Sequence, residues 1–248
     1  MRRLKLLLEY CGTRYHGWQV QPDVVTIQGT LEACLSRITN AAVRVHAAGR
    51  TDAGVHALGQ VAHFDTASVV PPEALQRGVN SLLPDDIVVR QVSEVSPDFH
   101  ARYSARQKTY AYVVHNQALR SAFHGPYTWH VRQRLDVAVM RSAAQALLGQ
   151  HDFSAFRAAS CAARSPVRCL ARLAVQRRAT RIFFVLCADG FLQHMVRNIV
   201  GTLVDIGCGK IPADELTTIL HSRQRQAAGP TAPPQGLFLV RVTYERDC

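Results

Sequence analysis

The sequence predicts an α+β protein made of two β-α-β-β-α-β halves, with helices on one face of an extended, mainly antiparallel sheet. Three observations predict this. Four segments carry apolar residues at helical spacing, and β-rich runs flank each of them. The second half repeats the rhythm of the first without obvious identity, so the repeat is architectural. The chain has 248 residues and 48% hydrophobic content, enough for a substantial core.

Leu4 to Tyr10 alternates loosely and reads as a strand. Thr26 opens a helix that places Ile27, Leu31, Leu35 and Ile38 on one face. After a Gly-containing loop, Val55 to Phe64 reads as a strand. Pro71 and Pro72 start a helix striped by Leu75, Val79, Leu82 and Leu83, and Pro84 ends it. Ile87 to Val92 is a further β-rich run. In the second half, Tyr110 to Val114 is a strand and Asp136 caps a helix carrying Met140, Ala144, Leu147 and Leu148. Leu170 to Gln176 and Ile182 to Cys187 form a hairpin. Leu192, Met195, Val196, Ile199, Val200 and Leu203 make the clearest helical stripe, and Arg197 stands one position off it. Leu237 to Tyr244 closes the chain as a strand, after the stiff loop Gly229-Pro230-Thr231-Ala232-Pro233-Pro234. The halves divide as residues 1–98 and 110–248, joined by a segment 99–109 that is rich in basic and aromatic side chains. Each half is a split βαβ unit of the ferredoxin-like or RRM-like kind. Such sheets leave one face open, and two of them together suit a basic, RNA-binding cleft.

The formal net charge is +11, and only Lys5, Lys108 and Lys210 among the 29 basic residues are lysine. Arginine grips phosphate with a planar fork and stacks on bases, so a nucleic-acid partner is expected. An arginine-rich codon bias gives the same composition without that function. Seven scattered cysteines with no CxxC pair argue against a disulfide framework or a structural zinc and point to reduced thiols in the cytoplasm. No signal peptide and no apolar run of membrane-spanning length is evident. There is no GxxxxGK[ST] loop and no HExxH motif, and Pro212 interrupts the dinucleotide-like Gly207-Cys208-Gly209, so no cofactor and no metal are expected.

The most informative stretch runs from Ala48 to Val61. Three glycines bracket one carboxylate and one arginine. Gly49 and Gly54 permit unusual φ values and a close ligand approach, and Arg50 and Asp52 could both project from such a loop. An ordinary turn in which Asp52 bonds its own backbone fits the residues equally. His16, His56 and His100 stand in loops, where a lone histidine is more often a structural hydrogen-bonder than an acid or base.

Gly49-Arg50-Thr51-Asp52-Ala53-Gly54-Val55-His56 resembles the signature of the TruA family of tRNA pseudouridine synthases. The resemblance continues through Tyr15 to Gln19, Phe99 to Ala105, Lys108 to Tyr112, His151 to Arg157, His194 to Gly201 and Thr231 to Leu237. It implies a cofactor-free, metal-free isomerase that breaks the N-glycosidic bond of uridine, turns the uracil and rejoins it through carbon. The implied targets are positions 38, 39 and 40 of the tRNA anticodon stem-loop, and the implied assembly is a homodimer with no membrane attachment.

The resemblance makes Asp52 the catalytic carboxylate, acting as nucleophile at C1′ or as base on the sugar. It makes Arg197 the arginine that keeps Asp52 charged, Arg50 the residue that helps flip the base, and Tyr110 the ring that packs on it. By family position, Phe99, His100, Ala101, Arg102 and Tyr103 contact RNA, as do Ser160, Cys161, Ala162, Ala163 and Arg164. Cys11 replaces the Asp usual in the N-terminal motif. Val70 and Ala118 stand where some relatives carry basic residues, which bears on RNA affinity and not on the reaction. An inactive RNA-binding protein on the same scaffold would share the charge but would not need Asp52.

Overall fold

The computed structural model describes residues 1–244. They divide into two compact units, one of Met1–Arg106 with the chain from Phe238 onward, the other of Gln107–Leu237.

The first unit opens with β1 (Arg2–Tyr10), α1 (Ile27–Thr39), β2 (His46–Ala47), β3 (His56–Thr66), α2 (Pro72–Leu82) and β4 (Ile87–Val95). β1 lies between β3 and β4 and is antiparallel to both, and β2 pairs antiparallel with β3. Leu4, Leu6 and Leu8 alternate into the core, where Leu31 and Leu35 of α1 and Leu75 and Val79 of α2 are also buried. Burial of each such side chain stabilises by about 1.5–3 kcal/mol. The Thr26 side chain accepts the Gly29 N–H and caps α1, a contribution of about 1 kcal/mol.

The second unit contains β5 (Gln107–Asn116), β6 (Trp129–Val131), α3 (Val137–Ala144), β7 (Gly149–Asp152), β8 (Val167–Arg178), β9 (Arg181–Ala188), α4 (Met195–Gly207) and α5 (Glu215–Ser222). Its strands run in the order β5-β9-β8-β7, each pair antiparallel, with β6 parallel to β5. The Asp136 carboxylate accepts the Ala138 and Val139 N–H groups and caps α3. Only Arg197 and Asp205 of α4 escape burial. Its polar Asn198 and Thr202 are therefore core residues, not the solvated flank that a stripe on one face suggests. Leu192 precedes the helix, which begins after His194 in the left-handed region at φ +63.

The last strand, β10 (Leu237–Thr243), runs parallel to β3, with Phe238 opposite His56 and Leu239 opposite Ala57. The fold is thus α+β with mostly antiparallel pairing. The first unit shows β-α-β-β-α-β in order once β2 is counted. β2, β6 and β7 are too short to display alternation, and α5 has only eight residues; none of the four is evident from the sequence pattern. Among the described residues, Cys34, Cys161, Cys169, Cys187 and Cys208 are free thiols; Cys248 lies outside the described residues. No helix among those residues is long and apolar enough to cross a membrane.

Candidate active site

Residues 48–55 form the loop between β2 and β3, and three neighbouring segments hold it. The Ala48 N–H donates to the Val61 carbonyl at 2.7 Å, and the Trp18 N–H to the Thr51 carbonyl at 3.0 Å. The Gln60 amide donates to the Gly49 carbonyl at 2.8 Å. The Tyr10 hydroxyl meets the Thr51 hydroxyl at 2.8 Å. Within the loop, the Val55 N–H closes a turn on the Asp52 carbonyl at 3.1 Å, and the Gly54 N–H reaches Tyr15 at 3.3 Å. Gly17 sits at φ +86, and a Cβ there would lie 2.7 Å from the Thr51 carbonyl oxygen, so the two loops can approach this closely only over a glycine. Gly54 adopts φ +76 as expected of it, whereas Gly49 is not among the positive-φ glycines.

The consequence is a rigid loop with an inside and an outside. Thr51 and Gln60 are buried, Asp52 is half-buried and Arg50 is exposed. Burial pushes the Tyr10 hydroxyl up to about 12, so it stays neutral as a hydrogen-bonding brace. The Gly12 N–H donates to His56 Nδ1 at 3.1 Å, which makes His56 a structural acceptor. The N-terminal loop is itself moored on Asp86, which accepts from the Tyr15 hydroxyl and the Arg14 guanidinium.

In the same unit, segment 99–103 is tied down by histidines. The Ala101 N–H donates to His63 Nδ1 at 3.1 Å, and its carbonyl accepts the Tyr244 hydroxyl at 2.8 Å. His100 Nδ1 accepts the N–H groups of Arg102 and Tyr103. Ala101 is fully buried, so it holds the segment, while Tyr103 is 76% exposed. The Tyr103 ring lies 4.3 Å from the His100 ring and 5.6 Å from the Arg102 guanidinium. His46 and His63 stack at 5.2 Å beside His100. Burial, with His100 and Arg3 adding repulsion, lowers His63 to about 4. Sequence reasoning missed this triad, because its members are 17 and 37 residues apart and only the pairing of β2 with β3 brings the first two together.

In the second unit, one short stretch gathers the remaining candidates. Tyr110 is buried on β5 and meets Phe191 edge-on at 5.1 Å. Ser160 and Arg164 are exposed, and the Ser160 hydroxyl donates to Gln193 at 3.3 Å. The Ala158 N–H donates to the Gln193 carbonyl at 2.9 Å. This stretch leads directly into α4, where the Arg197 Nε donates to the Ala232 carbonyl at 2.7 Å. Among the described residues, no group of three or more His, Cys, Asp or Glu could hold a metal ion.

A family model described as tRNA pseudouridine synthase matches residues 7–104 and 143–245. The chain belongs to that family. A tRNA pseudouridine synthase A of Myxococcus xanthus is 52% identical over 245 residues, covering 98% of this chain and 92% of the relative. The protein of that name from Psychromonas ingrahamii is 48% identical, over 98% and 93% of the two chains. The one from Acetivibrio thermocellus is 47% identical, over 98% and 100%. As a tRNA pseudouridine synthase the protein is an isomerase, one that modifies uridine in tRNA. The matched segments contain Arg50, Asp52, Arg197 and both predicted RNA-contacting stretches. Tyr110 falls between them, inside the length that the relatives share.

Proposed function

We propose that this synthase converts uridine to pseudouridine at positions 38, 39 and 40 of the tRNA anticodon stem-loop, with Asp52 as its catalytic carboxylate. The observation that carries the reading is the braced loop, which presents Asp52 half-buried and Arg50 exposed while Thr51 anchors it inward. A loop held by hydrogen bonds from β1, β3 and the Trp18 segment does not need to reorganise during the reaction, as electrostatic catalysis requires. Substrate and product are isomers, so the balance needs no redox partner and no group donor.

Asp52 acts as an ionised carboxylate, attacking C1′ or taking a sugar proton. Arg197 is the arginine that favours this charge, an effect expected of an opposite charge within a few Å. Arg50, exposed on the same loop, bonds phosphate and fills the gap left by the flipped base. Extrusion costs a few kcal/mol, and stacking on Tyr110 offsets part of it. Tyr103 and Arg102 of the first unit, and Ser160 and Arg164 of the second, contact the RNA backbone, and Phe99, His100 and Ala101 shape the first of these surfaces. The enzyme works as a homodimer in the cytoplasm. Reading several adjacent sites calls for recognition by shape more than by sequence, which suits paired RNA.

Purified protein with chelator and an unmodified tRNA transcript tests this. Carbodiimide labelling with primer extension should show stops at positions 38 to 40, absent with Asp52→Asn. Modification at other uridines only would move the target, and equal activity in Asp52→Asn would remove Asp52 from the chemistry.

A further inference from the structure

Arg225 belongs to none of the motifs above, yet its guanidinium makes four hydrogen bonds within the second unit. Its Nη1 donates to the carbonyls of Ala228 and Gly229 at 3.2 and 2.9 Å. Its Nη2 donates to Asn198 Oδ1 at 3.1 Å and to Thr231 Oγ1 at 3.0 Å. All four acceptors are neutral. Burial opposes its charge, but a guanidinium stays protonated in proteins, so this cation is held by dipoles alone.

These dipoles belong to a seam. Residues 229–232 run antiparallel along one face of α4. The Gly229 N–H donates to Thr202 Oγ1 at 2.9 Å. The Pro230 carbonyl lies against Gly201 so closely that a Cβ there would fall 1.7 Å from its oxygen. The Thr231 hydroxyl donates to Asn198 Oδ1 at 2.7 Å, and the Asn198 amide donates on to the Phe156 carbonyl at 2.7 Å. The seam ends at Arg197, where the Ala232 N–H donates to the Arg197 carbonyl at 3.1 Å and the Arg197 Nε donates back to Ala232 at 2.7 Å.

We propose that Arg225 is a positioning residue for Arg197, locking segment 228–232 onto α4 so that the Ala232 carbonyl fixes the plane of the Arg197 guanidinium. The inference rests on the reading that Arg197 takes part in the chemistry. An arginine side chain has many rotamers, and a bond to Nε removes most of them while setting where the two terminal nitrogens point. The Ala232 carbonyl can do this only if its own segment is immobile. Arg225 grips both the carbonyls at the start of the segment and, through Thr231 and Asn198, the helix beneath it.

The test is a double-mutant cycle in single-turnover kinetics on tRNA, with tRNA binding measured in parallel. Arg225→Met should slow the chemical step by about ten- to a hundredfold, the scale expected when a reacting group is misplaced by about 1 Å, while tRNA affinity stays within about threefold. Arg225→Lys should recover part of the rate. Thr231→Val, which keeps shape and removes the hydroxyl that ties the segment to both Arg225 and Asn198, should lose rate in the same sense and serves if Arg225→Met folds poorly. With Arg197→Met already in place, either change should slow the enzyme little further. Additive losses, or a loss of affinity and rate together, overturn the proposal. If Arg197→Met alone leaves the rate unchanged, the role of Arg197 falls instead, and that result is distinct.

Discussion

The Asp52 loop and the Arg197 seam hold their charged side chains by opposite means. Asp52 sits on a short loop whose neighbours grip it through buried neutral side chains, Tyr10 and Gln60, and through backbone bonds from Trp18 and Val61. Arg197 sits on a helix that is rigid by itself, and a segment 35 residues later in the chain orients its guanidinium. A loop needs its backbone fixed, because nothing else sets where its side chains start. A helix already fixes the backbone, so what remains to be set is the end of a long, flexible side chain.

The two arrangements predict different sensitivities. The largest effect is expected from Gly201→Ala, whose new Cβ meets the Pro230 backbone. Denaturant unfolding should show a loss of at least about 3 kcal/mol, the upper range for overpacking. Gly17→Ala attacks the other region and should cost about 2 kcal/mol, since it combines positive φ with a 2.7 Å approach to Thr51. If Gly17→Ala proved the more damaging, the loop and not the helix seam would be the stiffer of the two. Tyr10→Phe removes the hydroxyl that Thr51 and Gln60 share and should cost about 1–2 kcal/mol. It should slow turnover more than it weakens tRNA binding, because the loop it loosens carries Asp52.

The histidine triad sharpens the comparison through pH. His63 is neutral in the folded chain because its value falls from 6.5 to about 4. The unfolded chain takes up a proton below 6.5, so its share of stability is complete above that pH and is lost progressively as pH falls toward 4. Tm should therefore drop between pH 7 and pH 5, and His63→Asn, which keeps an acceptor for the Ala101 N–H, should flatten that drop. An unchanged slope would locate the acid sensitivity elsewhere. The smallest effect is expected for Arg102→Ala: a severalfold loss of tRNA affinity at low salt that fades as salt rises, with the chemical step unchanged.

Much of this molecule could be read from the sequence by itself. Thr26 and Asp136 announced their helices because a cap is a local device, a side-chain oxygen bonding N–H groups two or three residues on. The β8–β9 hairpin and the α4 stripe were legible for the same reason, since periodicity is local. The loop 48–55 stood out by its residues, and its resemblance to known synthases supplied the role proposed for Asp52.

What only the tertiary structure decided is everything that depends on residues far apart in the chain. The buried Asn198 and Thr202, the parallel pairing of β10 with β3, the triad of His46, His63 and His100, and the grip of Arg225 on the seam leave no periodic trace. Each is a hydrogen bond or a packing contact closed over tens of residues, and its partners are chosen by where the sheet and helices come to rest.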